Sequence, residues 1–199
     1  MDIVRTSLAF GLILMLCASG SARERPVPPD EAPLEAYRCA MECDGAEPLQ
    51  ARSEAEAAWL VRHGYPTPAQ QQRLRALSRE EIKREAEAGS PPAAVELGRR
   101  VALEDHPLDG RILLREQAAR GTIYAYYVLS EISAKATPPS LVDSAAYLRM
   151  AYMQGDHKAA LEIARMRLTS AERVEADKRA SHFHAGYAGG QLRDPRPQE

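Results

Sequence analysis

The sequence predicts an all-α protein, and two observations support that prediction. Valine and isoleucine are sparse and alternation of apolar with polar residues is rare, so the pattern of β-strands is missing. Glycines recur at nearly constant intervals: Gly89 and Gly121 lie 32 residues apart, and Gly121 and Gly155 lie 34 apart. Such a period is typical of a solenoid, in which stacked helix pairs bury a continuous core. With 199 residues, 45% of them hydrophobic, the chain can form one such domain.

The first helix of each pair is predicted to follow the glycine. Small and aliphatic residues recur four, six, eight and nine positions after each glycine. Side chains four apart share one face of a helix, so we expect a core face whose small residues admit a second helix. In the three copies these positions hold Ala93, Val95, Leu97 and Gly98; Ala125, Tyr127, Leu129 and Ser130; and Ala159, Leu161, Ile163 and Ala164.

The second helix of each pair is predicted to end at the glycine, which suits the left-handed position after a helix. Asp109 and Asp143 both lie twelve residues before a glycine, where we expect them to cap this helix. Ser78 and Glu81 form the signature of a capping box in the first copy. The residues seven, six and three positions before the glycines are Ile82, Lys83 and Ala86; Leu114, Arg115 and Ala118; and Leu148, Arg149 and Tyr152.

This pattern resembles the Sel-one-like repeats (SLR), a branch of the tetratricopeptide-like α/α solenoids. Their first helix reads G-x-x-x-A-x-x-x-L-G-x-x-Y, and their second helix, W-Y-R-K-A-A-x-x-G, is similar to residues 113–118 and 147–152. The copies are degenerate, because the tryptophan is absent and the tyrosine position holds Val101, Ser133 and Arg167. The resemblance covers residues 78–185. It implies a short right-handed α/α solenoid of about three helical hairpins with helical caps, and an adaptor-type function without general catalytic residues.

Residues 1–22 have the features of a secretory signal peptide. An apolar run from Leu8 to Cys17 is too short to span a bilayer, and small residues lead to a plausible cleavage point after Ala22. Residues 23–33 contain four prolines and five charges, which predicts an extended linker. We therefore expect a periplasmic or secreted protein. A lipoprotein anchored through Cys17 and an uncleaved membrane anchor are the alternatives.

Cys39 and Cys43 are the two cysteines that remain when the signal peptide is removed. An even count in an oxidising compartment favours a disulfide, and one helical turn places the two Cα atoms about 6 Å apart, within disulfide range. Neither a histidine nor a second cysteine pair lies near them in the sequence to complete a metal site. We predict a disulfide here and no metal site.

Residues 34–77 are predicted to be an N-terminal helical capping region. Ser53 and Glu56 have the spacing of a capping box, and Thr67 can cap the next helix. The single tryptophan, Trp59, lies on an apolar helix face and is expected in the core.

At the other end of the chain, Thr169 and Glu172 begin a highly charged helix that suits a C-terminal solenoid cap. Residues 186–199 are rich in glycine and proline and are predicted to be a disordered tail.

The sequence contains no catalytic motif: it has no G-x-S-x-G, no P-loop and no H-E-x-x-H. His182 and His184 are two residues apart and point to different sides of a helix, so the five histidines are expected at the surface. We predict a protein that is not an enzyme and has no cofactor. The alternative is an envelope hydrolase or cell-wall-modifying enzyme, whose site would need two unneutralised carboxylates with raised pKa in one cleft.

The candidate binding surface is a group of tyrosines in the central first helix. Tyr127 occupies an apolar repeat position and is expected in the core, but the repeat does not require Tyr124 or Tyr126. Tyrosine is enriched at binding hot spots because it joins apolar area to a polar tip. The resemblance implies that the first helices line a concave face. The candidate partner-binding residues are Tyr124, Tyr126, Arg99, Arg100, Glu131 and Arg165. The alternative is that the two tyrosines fill space between repeats.

The sequence therefore favours an exported, non-catalytic adaptor or scaffold protein of the cell envelope. We expect a monomer whose partner is a protein or peptide. A nucleic-acid partner is not expected, because the net charge is −2. Membrane association is expected only if Cys17 is lipidated, which would make the protein a structural lipoprotein.

Overall fold

The computed structural model describes residues 33–38, 47–104 and 106–198. The signal peptide, most of the linker, Cys17, Cys39 and Cys43 lie outside these residues, so the predictions made for them stay predictions. The described chain is all-α, as predicted, with one isolated β-bridge between Arg38 and Ala51 and no strand within these ranges. None of the helices in the described part is long and apolar enough to cross a membrane.

A short 3-10 helix at Leu34–Tyr37 precedes nine α-helices in the described part of the chain. These are α1 (Glu54–Arg62), α2 (Pro68–Ala76), α3 (Arg79–Glu87), α4 (Pro91–Glu104), α5 (Pro107–Ala119), α6 (Tyr124–Lys135), α7 (Leu141–Gln154), α8 (Lys158–Arg165) and α9 (Ser170–Tyr187).

Capping residues set the starts of several helices. The boxes predicted at Ser78 and Thr169 are confirmed, and Thr67 forms a third one with Gln70. At α1 the Ser53 side chain accepts from the N–H of Glu56, but the Glu56 carboxylate accepts from a different backbone N–H, as described below.

The predicted caps Asp109 and Asp143 were wrong. Pro107 is the first residue of α5, so Asp109 lies within its first turn. In α7 the cap is Ser140, whose side chain accepts from the N–H of Asp143. Each aspartate lies inside the helix, where its charge still favours the positive N-terminal end.

The three repeat glycines end α3, α5 and α7 in the left-handed conformation, as predicted. Their φ values are 97° at Gly89, 93° at Gly121 and 122° at Gly155. An L side chain is strained at these angles, so glycine permits the chain to reverse between one helix and the next.

Consecutive helices from α3 to α8 pack against one another, and α4 also packs against α6, as α7 does against α9. The predicted core positions Ala93, Val95, Ala125, Leu129 and Ala159 are buried. The core face is weaker where the third copy was predicted, because α8 is short and Leu161 is 44% exposed.

The C-terminal segment differs from the predicted disordered tail. Helix α9 continues to Tyr187, Ala188 is buried, and residues 191–198 lie across α1 and the turn between α7 and α8. The glycine and proline content of this segment predicted disorder. In the structure the segment is ordered enough to bury a charged side chain, because Arg196 is only 2% exposed. Its buried ion pairs, described below, place the segment against the core.

Candidate functional site

The first candidate site is the surface that carries the predicted binding residues, here called the tyrosine face. It consists of Gln71 on α2, Arg99 on α4, and Tyr124 and Glu131 on α6. Helix α4 packs against both α2 and α6. The tyrosine face therefore depends on contacts between helices that are distant in the sequence.

Tyr124 is the first residue of α6 and is half-buried on this face. Its ring centroid lies 5.4 Å from that of Tyr65, and its hydroxyl accepts a hydrogen bond from Nε2 of Gln71 at 2.7 Å. Burial raises the pKa of Tyr124 to about 12. The phenol is protonated at neutral pH, and within the described residues its hydroxyl accepts from Gln71 and donates no hydrogen bond. It can donate its hydrogen to a ligand.

Ion pairs fix the charged groups of the tyrosine face. Arg99 donates through Nε and Nη2 to the two carboxylate oxygens of Glu96 at 2.8 and 2.9 Å. Its Nη1 lies 3.6 Å from Oε1 of Glu131, which also accepts from Nζ of Lys135 at 2.6 Å. The hydrogen bonds to Glu96 hold the pKa of Arg99 above its usual value. A ligand would meet a fixed array of alternating charges rather than a patch of one sign.

The structure brings together three of the six predicted partner-binding residues, which are Arg99, Tyr124 and Glu131. Arg165 lies on α8, where its half-exposed guanidinium pairs with Glu162. No described contact joins Arg165 to the tyrosine face.

The structure corrects the prediction for two other binding residues, Tyr126 and Arg100, because both pack within the fold. Tyr126 is 0% exposed, and burial raises the pKa of its phenol. Two residues along a helix turn it by about 200° from Tyr124, which directs it into the core. Arg100 donates to the carbonyls of Leu77 at 2.6 Å and Arg75 at 3.0 Å, so it closes the C-terminal end of α2.

A second site surrounds Arg196, and we call it the tail pocket. Nε of Arg196 donates to Oε1 of Glu56 at 2.6 Å, and Nη1 donates to Oδ1 of Asp156 at 3.2 Å. Nζ of Lys158 lies 2.9 Å from the same Oε1 of Glu56. All four side chains are buried. Two cations and two carboxylates thus balance each other in the interior, as buried charges require.

Backbone carbonyls and aromatic rings complete the tail pocket. Nη1 of Arg196 also donates to the carbonyl of Pro48 at 3.0 Å, and Nη2 donates to that of Gln50 at 2.9 Å. The guanidinium lies 5.4 Å from the ring centroid of Trp59 and 5.9 Å from that of Tyr65. Both distances are within the range of cation–π attraction.

Asp156 connects the tail pocket to the tyrosine face. Its Oδ2 accepts from the hydroxyls of Tyr65 at 2.6 Å and Tyr127 at 2.7 Å. The ring of Tyr127 stacks at 6.5 Å from that of Tyr124. Tyr127, expected in the core, is therefore half-buried between the two sites.

The pKa of Glu56 bears on the hydrolase alternative. Burial alone would raise it, but the N–H of Arg52 at 2.6 Å, together with Lys158 and Arg196, holds the pKa below its usual value. A general acid at neutral pH needs a raised carboxyl pKa. The carboxylate of Glu56 is neutralised instead, so the tail pocket does not provide the pair that this alternative requires.

His63 and Asp194 lie at the rim of the tail pocket. Nε2 of His63 is 2.9 Å from Oδ2 of Asp194, and Nδ1 is 3.0 Å from the carbonyl of Gly121. Burial alone would raise the pKa of Asp194, but the hydrogen bonds from His63 and Arg62 hold it below its usual value. The expectation that His63 is a surface residue was wrong, because its side chain is 14% exposed.

Two shallow cavities lie away from the tyrosine face. One, of about 240 Å³, is formed by α7, α8 and α9, with Ala160, Ile163 and Leu168 among its lining. The other, of about 230 Å³, lies beside His63 and Leu192. Among the described residues, no group of three or more His, Cys, Asp or Glu side chains is arranged to hold a metal ion.

Comparisons of the chain with protein-family models, curated proteins and solved structures returned no significant match. The resemblance to the Sel-one-like repeats therefore rests on the residues of the sequence analysis alone.

Proposed function

We propose that this chain is an exported, non-catalytic adaptor built as a short Sel-one-like α/α solenoid. Three features of the fold support the repeat. Left-handed glycines end α3, α5 and α7, consecutive helices pack together, and α4 contacts α6 across the intervening helix. In this arrangement α4, α6 and α8 are the first helices of the three copies.

The partner-binding surface in this proposal is the tyrosine face. The observation that supports it is that Arg99, Tyr124 and Glu131 lie together on one surface. Two first helices supply these three side chains, and α2 adds Gln71. The phenol of Tyr124 presents a free donor beside paired charges, which suits an extended peptide or a protein loop with its own polar groups. The partner is therefore a protein or peptide.

Export in this proposal rests on the sequence of residues 1–33. Cleavage after Ala22 and the Cys39–Cys43 disulfide belong to the same proposal, because cleavage accompanies export and the disulfide then forms in an oxidising compartment. Lipid attachment at Cys17 remains the alternative. Palmitate labelling that disappears in a Cys17→Ser variant would identify it.

The test is affinity capture from an envelope extract of the native host, quantified by mass spectrometry, with matched variants. Glu131→Arg reverses a charge on the tyrosine face, and Glu116→Arg makes the same change at an exposed position of α5. We expect a stoichiometric partner with the wild type and with Glu116→Arg, and at least about a tenfold loss with Glu131→Arg. A partner retained equally by both variants would place binding elsewhere on the molecule.

A further inference from the structure

Residues 194–196 contact the rest of the molecule as an extended peptide. The N–H of Asp194 donates to the carbonyl of Gln154 at 3.3 Å, and the N–H of Arg196 donates to that of Gly155 at 3.1 Å. Nε1 of Trp59 donates to the carbonyl of Asp194 at 2.9 Å. These bonds use main-chain atoms of the peptide, so they supply affinity for an extended strand of any sequence.

Specificity comes from the Arg196 side chain. Its guanidinium donates to two carboxylates and two carbonyls and lies against two aromatic rings. Arginine offers five donors in a planar fork, whereas lysine offers a point charge with three donors. The tail pocket therefore distinguishes arginine from lysine by geometry as well as by charge.

The neighbours of Arg196 extend this recognition. Pro195 favours an extended backbone at the preceding residue, and the carboxylate of Asp194 pairs with His63 and with Arg62. Arg193, only three residues before Arg196, is exposed and forms no ion pair in the described structure. The recognised unit is thus Asp-Pro-Arg.

The receptor side of this contact requires a glycine. A Cβ added to Gly155 would lie 2.2 Å from the carbonyl oxygen of Asp194 and 2.9 Å from Cα of Pro195. By contrast, a Cβ added at the equivalent repeat position, Gly121, would meet no atom within 4 Å. Among the glycines at 89, 121 and 155, only the one that faces the tail is approached this closely by a second backbone.

We propose that the tail pocket is a recognition site for an extended Asp-Pro-Arg peptide and that the chain's own C-terminal segment is its resident ligand. A separate protein segment carrying Asp-Pro-Arg competes with the tail for the same pocket. The tail thereby inhibits the site until it is displaced. This proposal involves other residues than the tyrosine face and does not rest on the function proposed for that face.

The first test uses the full chain with Arg196→Ala, in which the tail has lost its anchoring side chain. A fluorescent peptide of residues 191–199, QLRDPRPQE, is titrated into this variant and the wild type, with anisotropy and the emission of the single tryptophan as readouts. We expect saturable binding to the variant. Binding to the wild type should be at least about tenfold weaker, because its tethered tail competes at an effective concentration of about a millimolar.

Two peptides control for charge and composition. The Arg193→Ala peptide should bind the variant as tightly as the original, and the Arg196→Lys peptide at least about tenfold more weakly. Equal binding of these two peptides, or no binding to an Arg196→Ala chain that is folded by circular dichroism, would overturn the proposal.

The wild-type chain gives a second test that does not depend on the folding of the variant. The unlabelled peptide at several times the effective concentration, about 5 mM, should displace the tail and increase hydrogen exchange of residues 191–198. The Arg196→Lys peptide, which binds at least about tenfold more weakly, should displace much less of the tail and increase that exchange much less. Exchange that responds to neither peptide, or equally to both, would contradict an Asp-Pro-Arg site.

Discussion

The tail pocket and the tyrosine face both contain arginine–carboxylate pairs, but they differ in burial. In the tail pocket the side chains of Arg196 and Glu56 are 0% and 5% exposed, whereas Arg99 and Glu131 on the tyrosine face are 17% and 26% exposed. Water screens the second pair and reaches the first pair very little. Loss of Arg196 therefore leaves two buried carboxylates with one cation fewer, whereas loss of Glu131 leaves Arg99 still paired with Glu96. We therefore expect the loss of Arg196 to cost more stability than a substitution of Glu131 on the tyrosine face.

The largest effect is expected from Arg196→Ala. It leaves Glu56 and Asp156 buried with Lys158 as their remaining cation, and breaking a buried ion pair costs about 3–5 kcal/mol. Urea unfolding followed by Trp59 fluorescence measures the loss. Arg193→Ala is the matched control, because Arg193 is exposed, and its effect should stay within about 0.5 kcal/mol. Similar unfolding free energies for the two variants would show that the tail does not contribute to stability.

The next effect compares two glycines that both have positive φ, 93° at Gly121 and 122° at Gly155. Alanine at Gly121 incurs only the left-handed strain, roughly 1–2 kcal/mol. Alanine at Gly155 is also strained by its positive φ, and its Cβ would in addition collide with the carbonyl of Asp194. We expect the unfolding free energy of Gly155→Ala to be at least about 2 kcal/mol lower than that of Gly121→Ala. Equal losses in thermal or urea unfolding would mean that the tail does not approach this turn.

Acid should destabilise the tail pocket. The pKa of Glu56 is lowered from an ordinary value of 4.5. A carboxyl group with a lowered folded-state pKa adds stability above its unfolded pKa, and that stability is lost as pH falls through the folded value. The unfolding free energy of the wild type should therefore fall steadily below pH 4.5. In Glu56→Gln the stability should be lower at pH 7 and its dependence on acid shallower. A parallel pH profile in both proteins would exclude Glu56 as a source of the acid sensitivity.

The smallest effects concern two tyrosine hydroxyls. The buried hydroxyl of Tyr126 has no hydrogen-bond partner in the described structure, so Tyr126→Phe should be neutral or slightly stabilising. Tyr124→Phe removes the acceptor of Gln71 and should cost about 0.5–1.5 kcal/mol. Thermal unfolding of the two variants distinguishes them. A greater loss at Tyr126 would indicate a hydrogen bond that the structure does not contain.

The helices were predictable from the sequence because their signals are local. Ser78, Thr169 and the glycines at 89, 121 and 155 act within one helical turn, and each behaves in the structure as expected. Asp109 was misassigned because Pro107 begins the helix earlier. Distances along the sequence predicted a repeat, but they could not show which of Tyr124 and Tyr126 reaches the surface, since that depends on the rotation of α6 against its neighbours.

The tail pocket could not be found from the sequence. Glu56 and Arg196 are 140 residues apart, and His63 and Asp194 are 131 apart. No periodicity joins them, and the prolines beside Arg196 predict disorder when read alone. Only the folded structure shows that these prolines lie in an extended segment and that its arginine donates hydrogen bonds to buried carboxylates and carbonyls.

Hydrogen exchange at the backbone amide of Arg196 in the wild-type chain tests the central claim most directly. This amide donates to the carbonyl of Gly155 at 3.1 Å beneath a buried side chain. If the tail pocket is filled by the tail, the amide should exchange at least about a hundredfold more slowly than in the free peptide, close to the buried amides of α1. Exchange at the rate of the free peptide would show a disordered tail and contradict the account.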